Sequence, residues 1–101
     1  MAETLQQEAK RLLGDAVEEY VFRCGDGSTL RNMKELGDAL KTMADETYAF
    51  YANTEKNDFA NWVKDIIKDE RLAKDLQKAL NRAQAAKLAA SRMALLTKRA
   101  A

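Results

Sequence analysis

Histidine and proline are absent from this 101-residue chain, cysteine occurs once and glycine four times. Without histidine, the usual general base at neutral pH, the Ser-His and Cys-His nucleophile pairs and the commonest transition-metal ligand are all missing. Most enzyme classes fall away, and a non-enzymatic protein is expected. Cys24 has no partner for an internal disulfide, in keeping with a reducing compartment, and reads as a small, partly buried strand residue rather than a reactive thiol. Long apolar runs are missing too: stretches such as Ala94-Leu95-Leu96 fall far short of the roughly 20 residues of a membrane-spanning helix. Residues 1–13 lack the apolar stretch of a secretory signal. A cytoplasmic location without membrane attachment is expected, and no residue pattern points to a cofactor or a small-molecule substrate.

What is present is the composition of a folded chain, 47% hydrophobic and 33% charged, at a length that suits one domain with one core. Leu5, Ala9, Leu12, Leu13, Ala16 and Val17 recur at helical spacing, with Gly14 placed to end that helix. The period then shortens to two at Tyr20, Phe22 and Cys24. Gly25-Asp26-Gly27 and Ser28-Thr29-Leu30-Arg31 follow, which predicts a β-hairpin near residues 20–31 closed by a two-residue Asp-Gly turn. Tyr20, Phe22 and Leu30 are expected against the helices, because an isolated hairpin is marginal. Asn32 with Glu35 opens a helix carrying Met33, Leu36, Leu40 and Met43. Asp45 is placed to cap a short helix, and Asp58 to cap the segment Phe59, Trp62, Val63, Ile66, Ile67. Asp69 precedes Leu72, Ala73, Leu76, Ala79 and Leu80, and Asn81 with Gln84 opens the last helix. The expectation is a mainly α, single-domain bundle of five to six short helices with one small hairpin, free of linkers and repeats.

Charge is unevenly distributed. Residues 1–75 carry 11 basic and 16 acidic side chains, whereas residues 76–101 carry six basic ones and none acidic. The chain therefore divides into an acidic body, residues 1–80, and a basic amphipathic helix, residues 81–101. Lys78, Arg82, Lys87, Arg92, Lys98 and Arg99 are the candidate contacts to a polyanion, DNA or RNA backbone above all, through long-range, salt-screened attraction. The ordinary alternative is a solvated face whose charge balances the body and complements the helix dipole. No aromatic residue follows Trp62, which argues against stacking on single strands by this helix. On the wheel, Ala86, Ala89, Met93, Leu96 and Ala100 form one stripe flanked by Leu88 and Leu95. Leu88, Met93, Leu95 and Leu96 are accordingly the candidate interface for a partner protein or a second copy of the chain.

Other clusters read as structural. Asp58, Asp65, Asp69 and Glu70 lack the alternating oxygens and glycine of a calcium loop, so no metal is expected. Tyr48, Phe50, Tyr51, Phe59 and Trp62 are expected in the core. Gly25-Asp26-Gly27 lacks the Lys-Ser/Thr of a phosphate loop.

Phe22, Asp26-Gly27, Leu30, Asn32, Glu35-Leu36, Leu40, Met43, Asn53, Lys56-Asn57-Asp58-Phe59, Trp62-Val63, Asp65 and Leu72-Ala73 together resemble an uncharacterised family of short prokaryotic, largely archaeal, proteins and appended domains. The resemblance spans roughly residues 20–76 and rests mainly on Asn-Asp-Phe-x-x-Trp-Val. It implies a compact helical module and no activity. That family often carries His-Val where this chain has Tyr51-Ala52, so no role of that histidine transfers. The resemblance ends before the basic helix, which points to that helix for what is particular to this protein.

Overall fold

A computed structural model describes residues 2–101. Six α-helices and a two-stranded antiparallel hairpin make up the described residues: α1 Leu5–Leu12, β1 Phe22–Arg23, β2 Thr29–Leu30, α2 Met33–Thr42, α3 Asp45–Tyr51, α4 Asp58–Trp62, α5 Glu70–Lys78 and α6 Arg82–Ala100. The mainly α bundle with a small hairpin is thus the observed architecture.

Five of the six helices start at a short polar side chain that satisfies amide groups the helix leaves free. Thr4 Oγ1 accepts from the Gln7 amide while Gln7 Oε1 accepts from the Thr4 amide, a closed capping box. Asn32 and Asn81 accept from the amides of Glu35 and Gln84. The reciprocal bonds are displaced by one residue: Glu35 takes the Arg31 amide and Gln84 the Leu80 amide. Two expected caps are corrected. Asn57, not Asp58, caps α4 through the Ala60 amide, and Asp58 pairs instead with Lys56 at 2.9 Å. Ala44 occupies the cap position of α3 without a side-chain bond, because the Asp45 carboxylate is turned to Arg82.

The hairpin also differs in its turn. Phe22 pairs with Leu30 and Arg23 with Thr29, but Gly27 alone of the loop residues has positive φ, +94°. The Gly27 amide donates to the Cys24 carbonyl and the Cys24 amide to the Ser28 carbonyl, so the loop holds three residues, a turn followed by a left-handed glycine. Asp26 is spared positive φ and bonds the Ser28 amide instead. Tyr20, expected inside, is exposed in a 3-10 turn, Glu18–Tyr20, and contributes its backbone: its carbonyl accepts from Trp62 Nε1 at 2.7 Å.

After Trp62 the helix widens into a π turn over Val63–Ile67. The Lys68 amide reaches back to the Val63 carbonyl, and Lys68 ends the turn in the left-handed region at φ 71°. The widening rotates Ile66 to a half-buried position while Val63 and Ile67 stay inside. Val17, expected on the first helix's apolar face, lies beyond its end and is exposed, and Leu80, beyond α5, is 87% exposed.

The core is built around α6, which packs on α1, α2 and α5. Ala85, Ala89 and Leu96 of α6 are fully enclosed with Ala9 and Leu12 of α1, Leu36 and Leu40 of α2, and Leu72 and Leu76 of α5. A second packing centre is aromatic. Phe22 stacks on Phe59 with centroids 5.1 Å apart and meets Tyr51 and Trp62 edge to face. Phe50, expected in that cluster, points outward and is 66% exposed. A seven-residue helix offers one narrow inward stripe, and Tyr48 and Tyr51 fill it.

Candidate polyanion-binding face

The six basic residues of the C-terminal segment do different things. Arg82, at the first position of α6, donates from Nη1 to the carbonyls of Leu40 and Lys41 at 2.8 and 2.9 Å and from Nε to Asp45 Oδ1 at 2.8 Å. It closes the C-terminus of α2, where free carbonyls and the helix dipole favour a cation. Arg92 grips Asp69 with two nitrogens, Nε to Oδ2 at 2.8 Å and Nη2 to Oδ1 at 3.2 Å. The pair is enclosed, with side chains 12% and 1% exposed. Asp69 Oδ1 also caps α5 through the Leu72 amide, so one carboxylate starts α5 and fastens α6 to it. Both arginines are engaged within the fold, Arg92 on a buried carboxylate and Arg82 on carbonyls at the end of α2 and the exposed Asp45.

Lys78, Lys87 and Lys98 are exposed and Arg99 half-buried, and none of the four forms an ion pair among the described residues. The buried stripe of α6, Ala85, Ala86, Ala89 and Leu96, sets the opposite face outward, and Lys87, Ser91, Ala94 and Lys98 lie on it at helical spacing. Arg99 lies toward α5, in a groove of about 370 Å³ that it shares with Arg71, Asp75, Leu88, Ser91, Leu95 and the Asp69-paired Arg92. The outer row of α5, Arg71, Lys74 and Lys78, follows three- and four-residue spacing, and Arg71 and Lys74 are likewise outside every ion pair of the described residues. Arg71 and Lys74 were not legible as partners of α6, since they stand among the acidic residues of the body in sequence. Their spacing from Lys78 along α5 was the available sign.

The candidate apolar interface is smaller than the wheel suggested. Leu96 is buried in the core and cannot meet a partner, and Met93 packs against the core from a half-buried position. The true packing stripe is rotated toward Ala85, which leaves Leu88 half-buried and Leu95 40% exposed beside the α5 groove. Of the four clustered carboxylates only Asp58 leaves the group, pairing with Lys56; Asp65, Asp69 and Glu70 line one cavity together with Lys64, Lys68, Arg71 and Arg92, where Asp69 is held by Arg92. Among the described residues, no three metal-ligating side chains of His, Cys, Asp or Glu type come together, and no helix is long and apolar enough to cross a membrane.

Compared with protein-family models, with curated proteins and with solved structures, the chain matches none.

Proposed function

We propose that the protein is a non-enzymatic binding module whose α5–α6 face contacts a polyanion, the phosphate backbone of DNA or RNA. The observation that carries this reading is the row of cations left without carboxylate partners on adjoining helices: Arg71, Lys74 and Lys78 on α5, Lys87, Lys98 and Arg99 on α6. Surface lysines and arginines are commonly drawn into ion pairs by nearby acids, and here Asp75 is the one acid on the groove. Phosphates along a backbone are met by such a row without base-specific bonds, so weak sequence preference is expected. Fluorescence anisotropy with a labelled duplex and a labelled RNA hairpin across a salt series tests it. Affinity should fall steeply as salt rises, and the combined Lys87→Glu, Lys98→Glu, Arg99→Glu variant should flatten the log–log slope by about 0.9 for each duplex phosphate it no longer neutralises. No binding at low salt, or binding indifferent to salt, refutes the reading.

Leu95 and Leu88 on the same groove support a second reading, self-association or docking of a partner protein through α6. Light scattering of the full chain decides it: a monomer at every concentration, unchanged in Leu95→Lys, excludes self-association.

A further inference from the structure

We infer that the corner between the hairpin tip and α3 is a seat for a guanidinium group, the end of an arginine side chain presented by a partner protein. A concavity of about 380 Å³ opens there, lined by Gly25, Asp26, Glu46, Thr47, Phe50 and Tyr51. Glu46 and Phe50 stand four residues apart on α3, as do Thr47 and Tyr51, so each pair shares a helix face. The hairpin tip supplies Asp26 as the remaining wall. The rings of Phe50 and Tyr51 meet at 85° with centroids 4.9 Å apart; Tyr51 also packs on Phe22 and Phe59, so the exposed Phe50 ring is the aromatic surface the corner presents. Aromatic rings attract cations, and Phe50 does so within the chain, outside the concavity: Lys56 Nζ lies 5.1 Å from its centroid, and Lys56 does not line the concavity.

Charge completes the match. Asp26 and Glu46 are in no ion pair among the described residues, leaving two carboxylates beside the exposed Phe50 ring. Hydrogen bonds from Ser28 hold the Asp26 carboxyl below its ordinary value, so it is ionised at neutral pH. The seat is held in shape as well. Tyr51 Oη accepts from the Gly25 amide at 2.6 Å, and a Cβ on Gly25 would stand 3.3 Å from that oxygen. Small metal ions need many oxygens and keep their water. A planar, weakly hydrated guanidinium stacks on a ring and takes a carboxylate at its edge, which is the combination this corner offers. The site uses none of the α5–α6 cations and stands or falls apart from the polyanion reading.

The test is a titration of the isotope-labelled full chain, following the amides of Gly25, Asp26, Thr47, Phe50 and Tyr51. Ethylguanidinium chloride is compared with its neutral near-isostere N-ethylurea and with sodium chloride at equal concentration. Saturable shifts are expected with ethylguanidinium alone. Phe50→Leu, an outward-facing substitution whose folding is checked by circular dichroism, should weaken binding about two- to fivefold; Asp26→Asn with Glu46→Gln should weaken it further. Lys87→Glu with Lys98→Glu should leave it unchanged. A capped Ala-Arg-Ala peptide should bind more tightly than free arginine, whose own carboxylate is repelled by Asp26 and Glu46. The assignment is overturned if no amide saturates, if N-ethylurea acts equally, or if Phe50→Leu changes nothing. Tighter binding of free arginine than of the peptide would overturn the partner-protein assignment.

Discussion

Asp69 shows how much a single side chain can hold when it is enclosed. Its carboxylate caps α5 and receives both nitrogens of Arg92, so removing either partner leaves an unpaired charge away from water. Arg92→Met should cost about 3–5 kcal/mol in urea denaturation, against about 0.5 kcal/mol or less for Lys87→Met on the exposed face. The double variant Asp69→Asn, Arg92→Met should lose clearly less than the sum of the single losses, because no unpaired charge remains. Cys24 is a different case. Burial, and secondarily the charge of Asp26, pushes its thiol up, so at pH 8 less of it is thiolate than in an unfolded chain. Thiol reagents should react at least about tenfold more slowly with the native protein than with the denatured one. A raised native value means the stabilising contribution is complete below the ordinary thiol range and is lost as pH rises through the raised value. Burial raises the Tyr48 phenol as well, so the contribution of these two groups to the denaturation midpoint should fall away on the alkaline side only.

At the scale of elements, the π turn at the end of α4 leads into the one non-glycine residue with positive φ among the described residues. Lys68 takes φ 71°, a conformation in which a Cβ crowds the following carbonyl. Lys68→Gly should raise stability by about 0.5–1 kcal/mol, the relieved strain outweighing the added freedom of the unfolded chain; a decrease would mean that the lysine stem contributes packing that outweighs the strain. Most elements were legible in the sequence, since a 3.6-residue apolar period and a polar cap mark α2, α5 and α6. The misread caps of α3 and α4 share a cause. Asp45 and Asp58 have the right residue type one position late, and long-range or neighbouring cations, Arg82 and Lys56, claim their carboxylates.

For the whole molecule, the basic helix is part of the core rather than an arm attached to a body. Ala85, Ala89 and Leu96 are enclosed against α1, α2 and α5, and Arg82 and Arg92 tie its start and its middle to Asp45 and Asp69. A chain ending at Leu80 should therefore lose cooperative unfolding, read as a flat thermal melt by circular dichroism in place of a sigmoid. A sharp transition in the shortened chain would show that residues 2–80 hold a core of their own. Of the remaining cations, Arg71 of α5 and Arg99 of α6 meet in one groove, and Lys74, Lys78, Lys87 and Lys98 are exposed on the same two helices.

The sequence alone determined the helical periods, the hairpin and the partition of charge at residue 76, because each is a local property of residue type and spacing. Tertiary structure decided which charges are available. Packing α6 into the core enclosed Arg92 with the buried Asp69 carboxylate and set Arg82 on the last carbonyls of α2. The contact of α6 with α5 set Arg71 beside Arg99, and short α3 had no inward room for Phe50. Those outcomes depend on which faces meet, and a linear pattern holds that information only for each helix separately.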